Sequence, residues 1–351
     1  YTSAIRVAQR AATVAQKRGS LGLFAKALIS EGWSYYSMGD FEKSEIVLDE
    51  AIRVLSTLPV PHDRTWAVLG NANAKIQLGK LSQAILLLND QISFLRTIGN
   101  QENLVYALRF GANAYTEMGD VKRAVAYVEE AHSIADKHGL KAVVVRSLLT
   151  LGRLHLIHGD LMSALRIVAV LRSQYQGLGP PYPGLLELLD GFVMRLAGRD
   201  RAAHDLLASS IQHLESDGDH SASSARMELA VLYLDEGKPE LAEKLLRVTV
   251  EKDQHHKVVA SEAKGRALLV LALLAQGRQR DAEQELALAE NATSRGESRQ
   301  AAILVDLAKA RVLMGSTVED GMRTAIEILS AAQAKAKESG YMPEYFEVSL
   351  A

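Results

Sequence analysis

A glycine followed by a polar residue returns along this chain with a nearly constant period. The glycines are Gly39, Gly79, Gly119, Gly159, Gly198, Gly237, Gly277 and Gly315, at intervals of 40, 40, 40, 39, 39, 40 and 38 residues. A spacing this regular restricts the fold to one supersecondary unit, repeated and stacked on its neighbours.

Other positions keep the same phase. Seven residues before the glycine stands a small residue in seven of eight units, namely Gly32, Ala72, Ala112, Gly152, Gly191, Ala230 and Ala308, with Val270 the exception. Five residues after it, in the first seven units, stands Ser44, Ala84, Ala124, Ala164, Ala203, Ala242 or Ala282. Nine after it stands Leu48, Leu88, Val128, Val168, Leu207, Leu246 or Leu286. Small residues on two helices let their backbones approach, the aliphatic fills the space beside them, and glycine permits the left-handed turn that ends the first helix. Each unit therefore reads as helix, turn, helix.

A second mark half a period later closes most units, at Gly99, Gly139, Gly179, Gly218 and Gly296, with Pro59 in the equivalent place of the first unit and none in the sixth. Gly19 has the same phase, so residues 1–19 are expected to hold the second helix of a truncated repeat. Repeats 1–4 then occupy 20–179 and repeats 5–8 occupy 180–340, leaving 341–351 as the start of a further helix or a cap. The chain begins at Tyr1, and it is expected to be part of a longer protein. The stretch Gln174–Gly184 holds three of the seven prolines and is the candidate for a bend or an ordinary stiff loop between the halves. The loop Ser216–Ser221 is polar and expected to be exposed.

Composition agrees with helices, since aromatics make up only 5% of the 351 residues. A formal net charge of −2 gives no overall basic footprint for nucleic acid or an anionic membrane. The absence of cysteine excludes disulfides, thiolate metal sites and cysteine catalysis, and accords with a cytoplasmic location. No apolar run is long enough to span a bilayer. A phosphate loop ending in Gly-Lys-Ser/Thr, His-Glu-x-x-His and Gly-x-Ser-x-Gly are all missing, so no enzyme and no cofactor is expected. His155 and His158 share a helix face without a third ligand, and His255 and His256 diverge on a helix, so all four are expected to be structural or surface residues.

The runs Gly32-Trp33-Ser34-Tyr35-Tyr36-Ser37-Met38-Gly39-Asp40-Phe41 and Gly111-Ala112-Asn113-Ala114-Tyr115-Thr116-Glu117-Met118-Gly119-Asp120 resemble the tetratricopeptide repeat (TPR) signature. The period exceeds the usual 34, which makes the chain similar to long-repeat relatives in bacterial regulators: signal-transduction ATPases, peptide-pheromone receptors and some serine/threonine kinases. The resemblance implies an all-α, TPR-like right-handed superhelix of about eight helical hairpins, with the first helix of each pair on the concave face.

Carried over to this chain, that layout places Lys26, Trp33, Tyr36, Trp66, Asn73, Tyr106, Arg109, Asn113, Arg146 and Arg153 along the groove. Family members that bind peptides often use an asparagine at the place of Asn73 and Asn113, because a carboxamide both donates and accepts. Arginines there can pair with a carboxylate. The alternatives stay open: solvated arginines, asparagines with no ligand, and tryptophans that pack between units. In later units the same positions turn apolar, at Leu188, Phe192, Met227, Val231, Ala267, Leu271 and Val305, interrupted by Lys264 and Lys309. Such a lining suits a helix, a tail or a partner's apolar stripe, or else joins the core between repeats.

The expectation is a protein-interaction or sensory module of a larger bacterial regulator, with a protein or peptide partner. The alternative is a structural scaffold or a self-associating chain. Because such arrays are stabilised by neighbour contacts, deleting terminal units should lower stability stepwise in circular dichroism melts, whereas abrupt loss of all helicity would count against the array.

Overall fold

The structure is a computed structural model that describes residues 2–58, 61–174, 177, 179–315 and 321–341. The expected further helix at 345–351 and the mark at Pro59 lie outside them. A lone helix, α1 (Thr2–Lys17), precedes eight antiparallel hairpins. The first four are α2 (Leu21–Ser37) with α3 (Phe41–Leu55), α4 (Pro61–Gln77) with α5 (Leu81–Thr97), α6 (Gln101–Met118) with α7 (Val121–Lys137), and α8 (Lys141–Ile157) with α9 (Leu161–Gln174). The last four are α10 (Tyr182–Leu196) with α11 (Asp200–Ser216), α12 (Ala222–Asp235) with α13 (Pro239–His256), α14 (Val259–Ala275) with α15 (Gln279–Ser294), and α16 (Arg299–Met314) with α17 (Gly321–Ser339). Each helix packs on its sequence neighbour and first helices pack on first helices, the arrangement of a TPR-like superhelix.

The repeat positions act as the spacing requires. Seven of the eight hairpin glycines hold φ between 67° and 85°. Gly315 does not: it caps α16 at φ −80°. The physical reason lies in the connection, which runs from Met314 to Gly321 and so need not reverse within one residue. In the sixth unit, which lacks a closing glycine, Lys257 takes the left-handed conformation at φ 55°. Leu48, Leu88, Val128, Val168, Leu207, Leu246 and Leu286 are all buried. The Ser44 hydroxyl donates to the Gly32 carbonyl at 2.8 Å, so the small residues of the first hairpin are in direct contact.

Apolar positions of the second half are covered by residues of the first. Val231, Ala267 and Val305 are buried in one core with Tyr115, Leu154 and Ile157 of the third and fourth units, and Met227 and Leu271 pack against it. The coil is wound so tightly that its second turn rests on its first.

Contacts between the turns repeat at three levels. At the first, the His256 ring stands against the backbone of Gly39, Lys257 pairs with Glu42 at 2.5 Å, and Phe41 meets His220 edge-on at 5.1 Å between ring centres. At the second, the Glu297 amide donates to the Gly79 carbonyl at 3.2 Å, and the Glu297 carboxylate accepts from the Ser82 amide at 2.5 Å. A Cβ on Gly79 would lie 2.9 Å from the Gly296 Cα, so the two glycines allow the backbones to touch. At the third, the Tyr341 hydroxyl donates to the Thr116 carbonyl at 2.5 Å, and His158 Nδ1 lies 2.9 Å from the Gly340 carbonyl oxygen. The partners are 215, 215 and 225 residues apart in the pairs Glu42–Lys257, Ser82–Glu297 and Thr116–Tyr341, about five and a half repeats per turn.

Among the buried polar groups, Asp253 on α13 ties three helices together. It accepts from Ser223 of α12 at 2.7 Å and from Ser261 of α14 at 2.5 Å. Burial is the main cause that pushes its carboxyl up to about 6. With its pKa raised in the folded chain, the stability it contributes is present below its ordinary value and is lost as pH rises through about 6. Asp253→Asn should therefore raise the unfolding free energy measured in urea at pH 7.5, by on the order of 2 kcal/mol, and change it little at pH 4. Equal effects at both pH values would refute this assignment.

Candidate ligand-binding inner wall

The first helices of units one to four bring most of the sequence-predicted groove residues onto one surface. Trp33 stacks edge-on with Trp66 at 6.1 Å, and Trp66 lies 5.4 Å from Tyr106, so three successive units are joined by aromatic rings. The Trp33 indole N–H donates to the Trp66 carbonyl at 3.2 Å. A Cβ at Gly70 would lie 2.9 Å from the Trp33 ring, so that glycine makes room for it. Both tryptophans thus pack between units while remaining partly exposed. Tyr36 contacts Trp33 at 5.7 Å and Phe41 at 5.1 Å, and its hydroxyl accepts from Gln77 at 3.4 Å. Burial raises its phenol to about 12. Lys26 stands apart, mostly exposed and 3.6 Å from Asp63.

Arg109 and Arg146 stand on the first helices of neighbouring units, each against an aromatic ring. The Arg109 guanidinium lies over the Phe110 ring at 4.4 Å, and Arg146 lies over Tyr182 at 5.4 Å. Among the described residues neither has a carboxylate partner, and the Arg109 Nε–H is enclosed without an acceptor. Burial, followed by repulsion from Arg146, lowers the Arg109 guanidinium to about 10. Arg195, by contrast, pairs with Glu228 at 2.9 Å, and Arg266 pairs with Glu262 at 3.0 Å.

The Asn73 and Asn113 carboxamides likewise have no hydrogen-bond partner among the described residues, although Asn73 is buried and Asn113 half-buried. Arg153 is half-buried beside Glu117, on which it acts electrostatically. Burial pushes the Glu117 carboxyl up. Lys264 at 2.8 Å, Ser298 at 2.7 Å and Arg153 more than offset it, leaving the group below the usual carboxylate range. Lys264 and Ser298 come from the second turn, so the Glu117 site spans both halves of the chain. The sequence marks Lys264 as an exception among apolar neighbours and carries no signal for Glu117, because its partners lie 147 and 181 residues away.

Of the four histidines singled out in the sequence, His255 and His256 do not diverge as expected, because their rings turn toward each other from adjacent positions at the end of α13. His155 lies 3.5 Å from Asp160, His158 faces the Gly340 carbonyl, and the His255 and His256 rings meet edge-on at 5.0 Å between centres. Among the described residues there is no group of three or more metal-ligating side chains and no helix long and apolar enough to cross a membrane.

A family model described as the MalT-like TPR region matches residues 1–293. No curated protein matches the chain. A Rap protein complexed with competence and sporulation factor superposes with a TM-score of 0.63 at 12% identity, over 90% of this chain and 89% of that one. The Rap conjugation gene regulator of the plasmid pLS20, in complex with the Phr* peptide, gives 0.62 at 15% identity over 93% and 98%. Aspartyl phosphate phosphatase F from Bacillus subtilis gives 0.57 at 11% over 80% and 73%. At these identities the likeness is one of fold.

A half-buried cation with an enclosed, unpaired N–H opposes folding. Arg109→Met keeps much of the side-chain length and removes both, so it should stabilise the free protein by about 1–2 kcal/mol in urea unfolding. A loss of stability instead would show that the guanidinium holds the fold together and is not held in reserve for a ligand.

Proposed function

The chain belongs to the MalT-like TPR region family, and on that premise we propose that it is a non-enzymatic interaction or sensory module of a larger bacterial regulatory protein. Its inner wall in the first four units binds a peptide, a protein segment or a small effector carrying negative charge. The observation that carries this reading is the set Arg109, Arg146, Asn73 and Asn113. The two guanidinium groups lie against aromatic rings, and none of the four side chains has a hydrogen-bond or carboxylate partner among the described residues. The enclosed, unpaired Arg109 Nε–H is costly unless a ligand pairs with it. The two guanidinium groups favour a carboxylate or similar anion, the carboxamides favour a peptide backbone, and the Trp33–Trp66–Tyr106 series favours an apolar side chain. The shared fold with a Rap protein solved with competence and sporulation factor and a Rap conjugation gene regulator solved with the Phr* peptide is consistent with a peptide-sized ligand. A cytoplasmic site of action fits this role.

Affinity capture from the source lysate should recover a specific partner with the native chain. The triple variant Asn73→Ala, Asn113→Ala, Arg109→Ala should lose it by at least about tenfold, provided circular dichroism shows equal helicity. Recovery of the same partner by both proteins would remove this wall from consideration.

A further inference from the structure

The first helices of the third and fourth units carry more positive charge than their own acids neutralise. Helix α8 holds Lys141, Arg146 and Arg153 and no acidic residue. On α6 the acids are Glu102, exposed in the first turn, and Glu117, already engaged by Lys264 and Ser298. Arg109 and Arg146 are thus two guanidinium groups on neighbouring units, near enough to repel each other, and without a carboxylate partner among the described residues. A series of rings leads to them. Trp66, Tyr106 and Arg146 each stand thirteen residues before their hairpin glycine, so they follow one another in register across three units, and the Trp66 and Tyr106 rings lie 5.4 Å apart. Arg109 comes three residues after Tyr106 on α6 and so shares its helix face.

We propose that the ligand of this wall presents a phosphate monoester next to a planar ring, with the phosphate between Arg109 and Arg146 and the ring beside Tyr106 and Trp66. The proposal rests on the reading of the wall as a binding surface and narrows the anion it takes. A carboxylate has a single charge and two oxygens in one plane, which one guanidinium fork satisfies, so the second cation is left uncompensated. A phosphate monoester carries a charge of about −1.5 to −2 at pH 7 and three acceptor oxygens in a tetrahedral array. It can face two guanidinium planes from two helices at once, accept from the enclosed Arg109 Nε–H, and balance both charges. Recognition of phosphorylated groups by clustered arginines rests on the same match of charge and donors.

The two tryptophans of the chain, Trp33 and Trp66, are both on this wall, so their fluorescence reports binding to it. Phenyl phosphate, a dianion at pH 7.5, should bind the native chain at least about tenfold more tightly than methyl phenyl phosphate or benzenesulfonate, which keep the ring but carry one charge. Arg146→Gln, at unchanged helicity, should bring the three within about twofold of one another, and Arg146→Lys should restore part of the difference. Arg53→Gln, at an exposed position on α3, is the control and should leave the preference intact. Adenosine monophosphate titrated beside phenyl phosphate separates the two sources of such a group: tighter binding of the nucleotide points to a nucleoside monophosphate, and tighter binding of phenyl phosphate to a phosphorylated tyrosine side chain. Equal affinity for the dianion and the monoanions, no response to phenyl phosphate, or a preference that survives Arg146→Gln would each overturn the proposal. The capture experiment tests the wall with its natural partner, so a chain that loses that partner in the triple variant and yet treats the three anions alike keeps the binding wall and loses only the phosphate.

Discussion

The close approach of two helices inside each hairpin is the constraint from which the remaining architecture follows. In the first unit Gly32 and Ser44 bring α2 and α3 within hydrogen-bond distance, and Leu48 fills the space beside them. Repeated with the same small residues and the same aliphatic, that geometry gives every unit nearly the same rotation and rise relative to the one before. A small fixed rotation has a large cumulative effect: after about five and a half units the chain returns over its own start. The three levels of contact between turns are the result of the hairpin geometry, and residues such as Gly79, Gly296 and Glu297 are adapted to meet there.

The winding divides the inner surface into two chemically different regions. Where second-half residues are apolar they complete a core with Tyr115, Leu154 and Ile157, so their hydrophobicity is used up inside the molecule. Where first-half residues are polar, some are satisfied across the turn, as Glu117 is by Lys264 and Ser298. Others are satisfied by nothing in the protein among the described residues, as with Arg109. The contrast between Glu117 and Arg109 separates polar groups that hold the coil closed from polar groups available to something else.

Much of this was legible in the sequence because repeat proteins concentrate their information in a local period. The hairpins, their order, the left-handed glycines and the buried aliphatics are consequences of contacts within about one repeat, and phase alone exposes them. What phase does not expose is a contact between residues 215 positions apart. The apolar positions Val231 and Val305 were readable as apolar, but the surface that covers them was not, since it belongs to units far upstream. Lys257 marks another limit. A lysine in the left-handed conformation gives no signal in composition, and the position is recognisable only as a gap in a series of glycines. The groove residues were named only through the family resemblance; the separation of Lys26 from the others and the enclosed Arg109 Nε–H emerged from side-chain geometry.

The capping of α5 carries a consequence for how the molecule comes together. Three of the first four second helices begin after an aspartate, and the Asp40, Asp120 and Asp160 carboxylates accept from backbone amides three residues on. Helix α5 begins after Lys80, which provides no such cap, and takes its carboxylate from Glu297 instead. A ribosome delivers the second unit long before the seventh. During that interval α5 has an N-terminal end whose amides are left to water, and the first four units exist as an open coil with their wall uncovered. The order of synthesis therefore takes every molecule through the uncovered form once before the late-arriving units can close over it.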